Sequence, residues 1–287
     1  MSSFAPCQIF QGSLRHFFGW QCPLRLQGSR EKAVRTVRTE VMGCPIDDLS
    51  MASLIDCMVW AFESRTPTWY TSINVANWYA CRKSDETLSF FRKAPFVSAD
   101  GKPIALASRM LGKRSVHHIP AMDLFHGVML RLQDYQPRVF LLGGLAGVAE
   151  RSAIGLVARY PGVRVVGCSD GYIAGRESSV LADILTSRAQ VLLLGMGTPR
   201  EQRWCIDYLS LSQVSLAIGI GGGFDILEGR KKRAPQWMRR VSAEWVYRLL
   251  NEPRRLGPRY AVTNTAFVLE LSRTLAQTWW KRNNEGA

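Results

Sequence analysis

Residues 189–223 read AQVLLLGMGTPREQRWCIDYLSLSQVSLAIGIGGG, and this stretch decides the fold class. Residues 189–197 form a near-continuous apolar run closed by glycine, the pattern of a strand buried on both faces. Residues 201–211 change to helical spacing, and residues 214–223 return to an apolar run that ends in three glycines. Strand, helix and strand in immediate succession make a crossover unit of the kind that joins parallel strands. Working outward, further strands are expected at 68–74, 94–101, 137–144 and 163–172. Helices are expected at 51–64, capped by Ser50, after Asn74, and at 146–160 and 178–188. The expected fold class is α/β, a parallel sheet covered by helices on both faces.

Charge divides the chain differently. The 287 residues carry a net charge of +14, and residues 229–287 contribute +9 of it. This places an anionic partner near the C-terminal fifth. We expect a basic leader over 1–40, with Met42 as an alternative start, an α/β domain over 41–228, and a basic, mainly helical appendage over 229–287. The seven cysteines include no C-x-x-C pair, which points to a reducing cytoplasm rather than a disulfide framework. No run reaches the roughly 18 apolar residues of a membrane span. The helix expected at 261–282 ends in Trp279-Trp280-Lys281-Arg282, which fits a membrane interface or a docking helix equally.

In parallel sheets ligands bind at the carboxyl ends of strands. Those ends carry Asn74, Asp100, Gly143-Gly144, Asp170-Gly171, Gly195-x-Gly197 and the run Gly221 to Asp225. Asp100 is placed to act as a general base, although Asp-Gly also makes an ordinary turn. Glycine lets a phosphate approach bare N–H groups, but tight strand–helix turns need it too. Arg248, Arg254, Arg255 and Arg259 recur near helical spacing among apolar residues, as expected of guanidiniums aimed at an anion. Trp204 and Trp237 are candidates for stacking on a sugar or base, or for packing. His117-His118 reads as a loop pair rather than a metal pair.

Taken in order, S-I-N at 72–74, A-D-G at 99–101, L-L-G-G at 141–144, D-G-Y at 170–172 and G-M-G-T-P-R at 195–200 resemble the WecG/TagA/CpsF family of bacterial glycosyltransferases. So do G-G-G-F-D at 221–225, R-A-P-x-W at 233–237, E-W-x-x-R at 244–248 and E-P-R-R at 252–255. The resemblance implies a Rossmann-like domain and inverting, metal-independent transfer from a UDP-sugar to a sugar on a polyprenyl diphosphate. It implies a peripheral position on the cytoplasmic face of the cell membrane, with no cofactor and no nucleic acid. Asp100 then matches the catalytic base, with Asn74 and Ser72 beside it, serine standing where the family usually has threonine. Gly143, Gly144, Asp170, Gly171, Gly197, Glu201, Gln202, Gly221, Gly222 and Asp225 fall to the UDP donor. Arg248, Arg255 and Arg259 fall to the diphosphate, and Asp123 matches a family acid, with Ala121 replacing a glycine. The chain departs from the family's P-K-Q-E by reading Pro199-Arg200-Glu201-Gln202, with glutamate and glutamine exchanged. The donor sugar is left open between N-acetylmannosamine and glucose.

Other classes predict other features. A nicotinamide dehydrogenase calls for G-x-G-x-x-G followed by an acid about 20 residues on, which is not present in register. A nucleic-acid module would spread its cations along an open face. The alternative closest to the favoured reading is a non-catalytic nucleotide- or lipid-diphosphate-binding protein, which would keep the appendage but not need Asp100.

Overall fold

The computed structural model describes residues 37–113, 116–240 and 243–284. Most of the expected leader, 1–36, therefore lies outside the described residues. The chain begins with an antiparallel hairpin, β1 (Arg38–Val41) and β2 (Cys44–Asp47), followed by α1 (Met51–Glu63). Next come β3 (Thr68–Ile73), α2 (Val75–Lys83), α3 (Asp85–Lys93), β4 (Phe96–Ala99), α4 (Lys102–Met110) and α5 (Ala121–Leu132). A second run follows: β5 (Arg138–Gly143), α6 (Val148–Arg159), β6 (Arg164–Ser169), α7 (Glu177–Thr186), β7 (Val191–Gly195), α8 (Arg200–Tyr208) and β8 (Leu216–Gly219). The last elements are α9 (Gly223–Leu227), α10 (Gln236–Arg240), α11 (Glu244–Asn251) and α12 (Pro253–Asn284).

Six strands form one parallel sheet in the order β4-β3-β8-β7-β5-β6. Successive residues of β5 and β7 are buried although their side chains point to opposite faces, so both faces of the sheet are covered. This is the expected α/β, Rossmann-like architecture. Connections diverge at two places. The chain leaves β5 toward β6 but leaves β7 toward β8, and β3 leads to β4 while β8 leads out of the sheet. Such divergence opens a crevice at the carboxyl ends.

Local chemistry sets the helix starts. Ser50, Asn74 and Ser84 cap α1, α2 and α3 by accepting the N–H groups of Ser53, Asn77 and Thr87. Each such cap stabilises its helix by about 1 kcal/mol. The hairpin begins inside the stretch expected to be a leader. Arg38 holds Asp47 through two hydrogen bonds of 2.8 and 2.9 Å, and Asp47 accepts the Val97 N–H at 2.8 Å, tying the hairpin to edge strand β4. Met42 is in the hairpin turn, where its carbonyl accepts the Trp78 indole N–H.

The C-terminal helix is longer than the expected 261–282. It starts at Pro253 and passes through Pro258. The rings of Phe267 and of Trp78 in α2 meet edge to face with centroids 5.0 Å apart, and Glu270 pairs with Arg82 at 3.2 Å. The inner face of α12 is thus a docking face, while Val268, Leu269, Trp279 and Trp280 remain exposed. Among the described residues no helix is long and apolar enough to cross a membrane.

Candidate active site

The carboxyl ends of β3, β4 and β8 and the start of α8 face α11 and the first turns of α12 across a cavity of about 1220 Å³. Nine Lys or Arg side chains line it against six Asp or Glu, so it favours an anionic occupant.

Asp100 stands one residue past β4. Its N–H donates to the Ile73 carbonyl at 2.8 Å, and Gly101, at φ +125°, turns the chain directly into α4. Burial raises the Asp100 carboxyl to about 6. Arg248 opposes that rise, Glu244 adds to it, and the Ala121 N–H at the start of α5 and Arg233 oppose it. The result is a carboxylate ionised at neutral pH and more basic than a surface aspartate, as proton abstraction requires. Beneath it, Tyr70 shares hydrogen bonds with Ser98, at 2.7 Å, and with Ser72. Burial and the Asp100 charge together hold the Tyr70 phenol protonated.

Asn74 and Ser72 line the same cavity. Asn74 spends its carbonyl oxygen capping α2, and Asn77 donates to the Ser72 carbonyl at 2.8 Å, which fixes this corner. Gly197, Glu201, Gln202, Gly221, Gly222 and Asp225 also line it. Gly143, Gly144, Asp170 and Gly171 do not. They sit at the ends of β5 and β6. A Cβ on Gly143 would meet the Gly195 backbone at 2.5 Å, and the N–H groups of Gly144 and Gly171 are taken by the carbonyls of Gly195 and Gly144. Gly143 is thus packed against the Gly195 backbone, and Gly144 against the Val148 side chain. The Asp170 carboxylate is held below the usual range by the Tyr172 N–H and by Arg176.

The appendage carries the cations. Arg248, Arg255 and Arg259 line the cavity, whereas Arg254 is exposed away from it. Arg248 approaches Glu244 at 3.8 Å, and Arg255 pairs with Glu252. Hydrogen bonding to Arg255 and then to Lys231 brings Glu252 down to about 2, against the effect of burial. Lys231 bridges Glu252 at 2.8 Å and Asp225 at 2.6 Å. Burial works to raise the Asp225 carboxyl, but Lys231 and Arg230 outweigh it and hold it low. Asp123 receives Arg233 at 2.7 Å and Arg239 at 3.6 Å. Asp123 and Asp225 thus tie residues 230–239 to the end of the sheet, while Glu244 and Glu252 pair within residues 231–255. Sequence reading missed the roles of Lys231, Arg233 and Glu244, because charge pairing between distant segments has no spacing signature.

Neither tryptophan stacks in the cavity. Trp204 is buried against Tyr208, and Trp237 is exposed outside it. His117 pairs with Asp48 at 3.2 Å, while His118 lines the cavity and is held below its ordinary pKa by burial and Lys102. Among the described residues no three His, Cys, Asp or Glu side chains gather where a metal ion could be held.

The model of the Glycosyl transferase WecG/TagA/CpsF family matches residues 39–284. The chain belongs to this family. It is a glycosyltransferase. It is similar to the N-acetylglucosaminyldiphosphoundecaprenol N-acetyl-beta-D-mannosaminyltransferase of Staphylococcus aureus (strain MW2), at 26% identity over 79% of this chain and 90% of the relative. It is also similar to the enzyme of the same name from Bacillus subtilis (strain 168), at 28% identity over 76% of this chain and 88% of the relative. The family match extends through α12, so the appendage belongs to the family architecture as much as the sheet does.

Proposed function

We propose that this glycosyltransferase moves a hexosyl or N-acetylhexosaminyl group from a UDP-sugar to a sugar carried on a polyprenyl diphosphate, for a bacterial exopolysaccharide, capsule or cell-wall polymer. The observation that carries this reading is Asp100, a basic carboxylate on one wall, facing a cavity that also holds Arg248, Arg255 and Arg259. The names of both relatives favour N-acetylmannosamine as the first donor to test; glucose, the other donor left open by the sequence, is the second.

In this mechanism Asp100 takes the proton of the acceptor hydroxyl. The freed oxygen attacks the anomeric carbon, the bond to the diphosphate oxygen breaks, and configuration inverts in one displacement. Ser72 and Asn74 orient the acceptor. Charge on the departing UDP is met by the arginines and by the Gly222 N–H, which replace the charge a metal ion would otherwise supply. Gly197, Glu201, Gln202 and Asp225 shape the donor side. Gly143, Gly144, Asp170 and Gly171 offer a neighbouring shelf for the distal end of the nucleotide.

Residues 229–287 serve as a diphosphate-binding appendage on the sheet domain of 41–228. Trp237, Trp245, Leu250, Trp279 and Trp280 are exposed on it, and such side chains beside Lys and Arg suit the headgroup level of a membrane. The enzyme then works at the inner face of the cell membrane.

The test is UDP release from a panel of UDP-sugars in EDTA, with a synthetic polyprenyl-diphosphate monosaccharide as acceptor. Acceptor-dependent release with one donor is expected. UDP binding without release from any donor would instead indicate a diphosphate-binding protein.

A further inference from the structure

Glu201 and Gln202, both buried in the first turn of α8, hold the turn that precedes it. β7 ends at Gly195, and the chain turns through Met196, Gly197, Thr198 and Pro199 into α8. Gly197, at φ +78°, tips consecutive N–H groups inward, a geometry that ordinarily collects an anion. Here the protein fills it. Glu201 Oε1 accepts the Gly197 N–H at 2.7 Å, and the Met196 N–H also donates to this carboxylate. Oε2 lies so close to Gly219 at the end of β8 that a Cβ there would stand 2.7 Å from it. The carboxylate is thus wedged between the two central strand ends, and its residue is 7% exposed.

Its neighbour carries the arrangement to the cavity wall. Gln202 Nε2 donates to Thr71 Oγ1 at 2.8 Å and approaches Thr198 Oγ1 at 3.4 Å. Arg200 donates to the carbonyls of Met196 and Gly171 and lies over the Tyr172 ring, which secures the turn from outside. The charged and titratable neighbours of Glu201 are Arg200 on its own helix and Cys205 one turn along, whose thiol is pushed well up by burial. β8 presents Gly219 to it, and β3 presents the Thr71 hydroxyl through Gln202.

We propose that Glu201 is a positioning residue for the transfer: its carboxylate occupies the amide pair of the β7–α8 turn, fixes the Thr198–Gln202 wall, and releases that wall on protonation. The part concerning transfer rests on the function proposed above; the part concerning the turn does not. With the amide pair occupied from within, the diphosphate is directed to the appendage arginines. Burial raises the Glu201 carboxyl to about 7, so the brace titrates near neutrality.

Two measurements test this on the full chain. In the free, 15N-labelled protein the Gly197 amide resonance is followed from pH 5.5 to 8.5. It should move with a midpoint near pH 7 in the wild type and stay still in Glu201→Gln, which cannot ionise. In turnover, lowering the pH from 8 to 6.5 should reduce wild-type kcat/KM about fivefold, as groups titrating near 7 and 6 take up protons, but the variant less than twofold. A static Gly197 amide in the wild type, or one that still titrates in the variant, overturns the brace and needs no substrate to do so. Parallel pH profiles in wild type and variant overturn its role in transfer. If the variant does not fold, the wild-type amide titration decides alone. An absence of turnover in the wild type would count against the proposed function and leave the amide result standing.

Discussion

Replacing Asp100 by asparagine should remove activity and strengthen the fold at the same time. The carboxyl titrates at about 6 in the folded protein against an ordinary value of 3.8. A group whose folded pKa is raised binds more protons folded than unfolded. Stability therefore falls as pH rises from about 3.8 through about 6, and levels off above. A rise of that size corresponds to about 3 kcal/mol at neutral pH. That figure is an upper bound, because the side chain borders an open cavity whose solvent screens it. Asparagine removes the charge, keeps an oxygen for the Ala121 N–H, and adds no volume. Differential scanning fluorimetry at pH 7.5 should show Asp100→Asn melting several degrees above wild type, at about 2–4 °C per kcal/mol for a chain of this size. At pH 4.5 about a third of the gain should remain, and at about pH 3 almost none. Turnover should fall by about 10²–10⁴, the usual contribution of a general base, while UDP affinity is kept. A variant no more stable than wild type at pH 7.5, or a gain independent of pH, would refute the account of a strained, ionised carboxylate.

Arg259→Ala should lower kcat/KM by about 10²–10³, the effect of losing one donor to a developing oxyanion. Arg254→Ala, off the cavity, should stay within about twofold, and equal losses in steady-state assays would contradict the placement of these arginines. Gly143→Ala should destabilise markedly in urea melts because its Cβ meets the Gly195 backbone, whereas Gly222→Ala, with open space around it, should leave stability unchanged. Phe267→Ala should cost about 3–5 kcal/mol through the void left against Trp78, seen as early proteolysis of α12. Replacing Trp279 and Trp280 together by alanine should weaken co-sedimentation with anionic vesicles. Undiminished binding would remove these residues from the membrane face.

The sheet was legible because buried parallel strands are written as unbroken apolar runs, and β5, β7 and β8 are such runs. The hairpin was not, because its strands have four residues each and include Arg38, Glu40 and Pro45. Its register depends on Arg38 meeting Asp47 and on Asp47 meeting Val97, contacts across sequence separations that no local pattern reveals. α4 and α5 were also missed, since Pro103 and Pro120 look like breakers yet stand at helix starts, where proline is well tolerated. Pro253 misled in the same way at α12. For the site, Asp100 and Asn74 were readable as polar residues at strand ends. The glycines at 143, 144 and 171 looked the same but lie outside the cavity, where Gly143 also meets the Gly195 backbone. Sequence shows that a glycine is needed, not whether a ligand or a neighbouring strand needs it.

The charges of the cavity explain how so many cations coexist before any ligand arrives. Left alone, nine Lys and Arg side chains around one space would repel one another and loosen the appendage. The acids are distributed to prevent this: Asp123 takes Arg233 and Arg239, Asp225 takes Arg230 and Lys231, Glu252 takes Lys231 and Arg255, and Glu244 stands by Arg248. Most cations are therefore held in fixed positions by protein carboxylates. Arg259, which lines the cavity, has no ion pair among the described residues. In the proposed transfer, an incoming diphosphate meets a field already oriented, gains Arg259 outright, and shares Arg248 and Arg255 with their acids. Because these pairs are partly exposed, each contributes only about 0–1 kcal/mol to the fold. Ligand phosphate can therefore displace them at small cost. Under the proposed mechanism, the acids that fix these side chains leave the arginines free to change partners as charge builds on the leaving group.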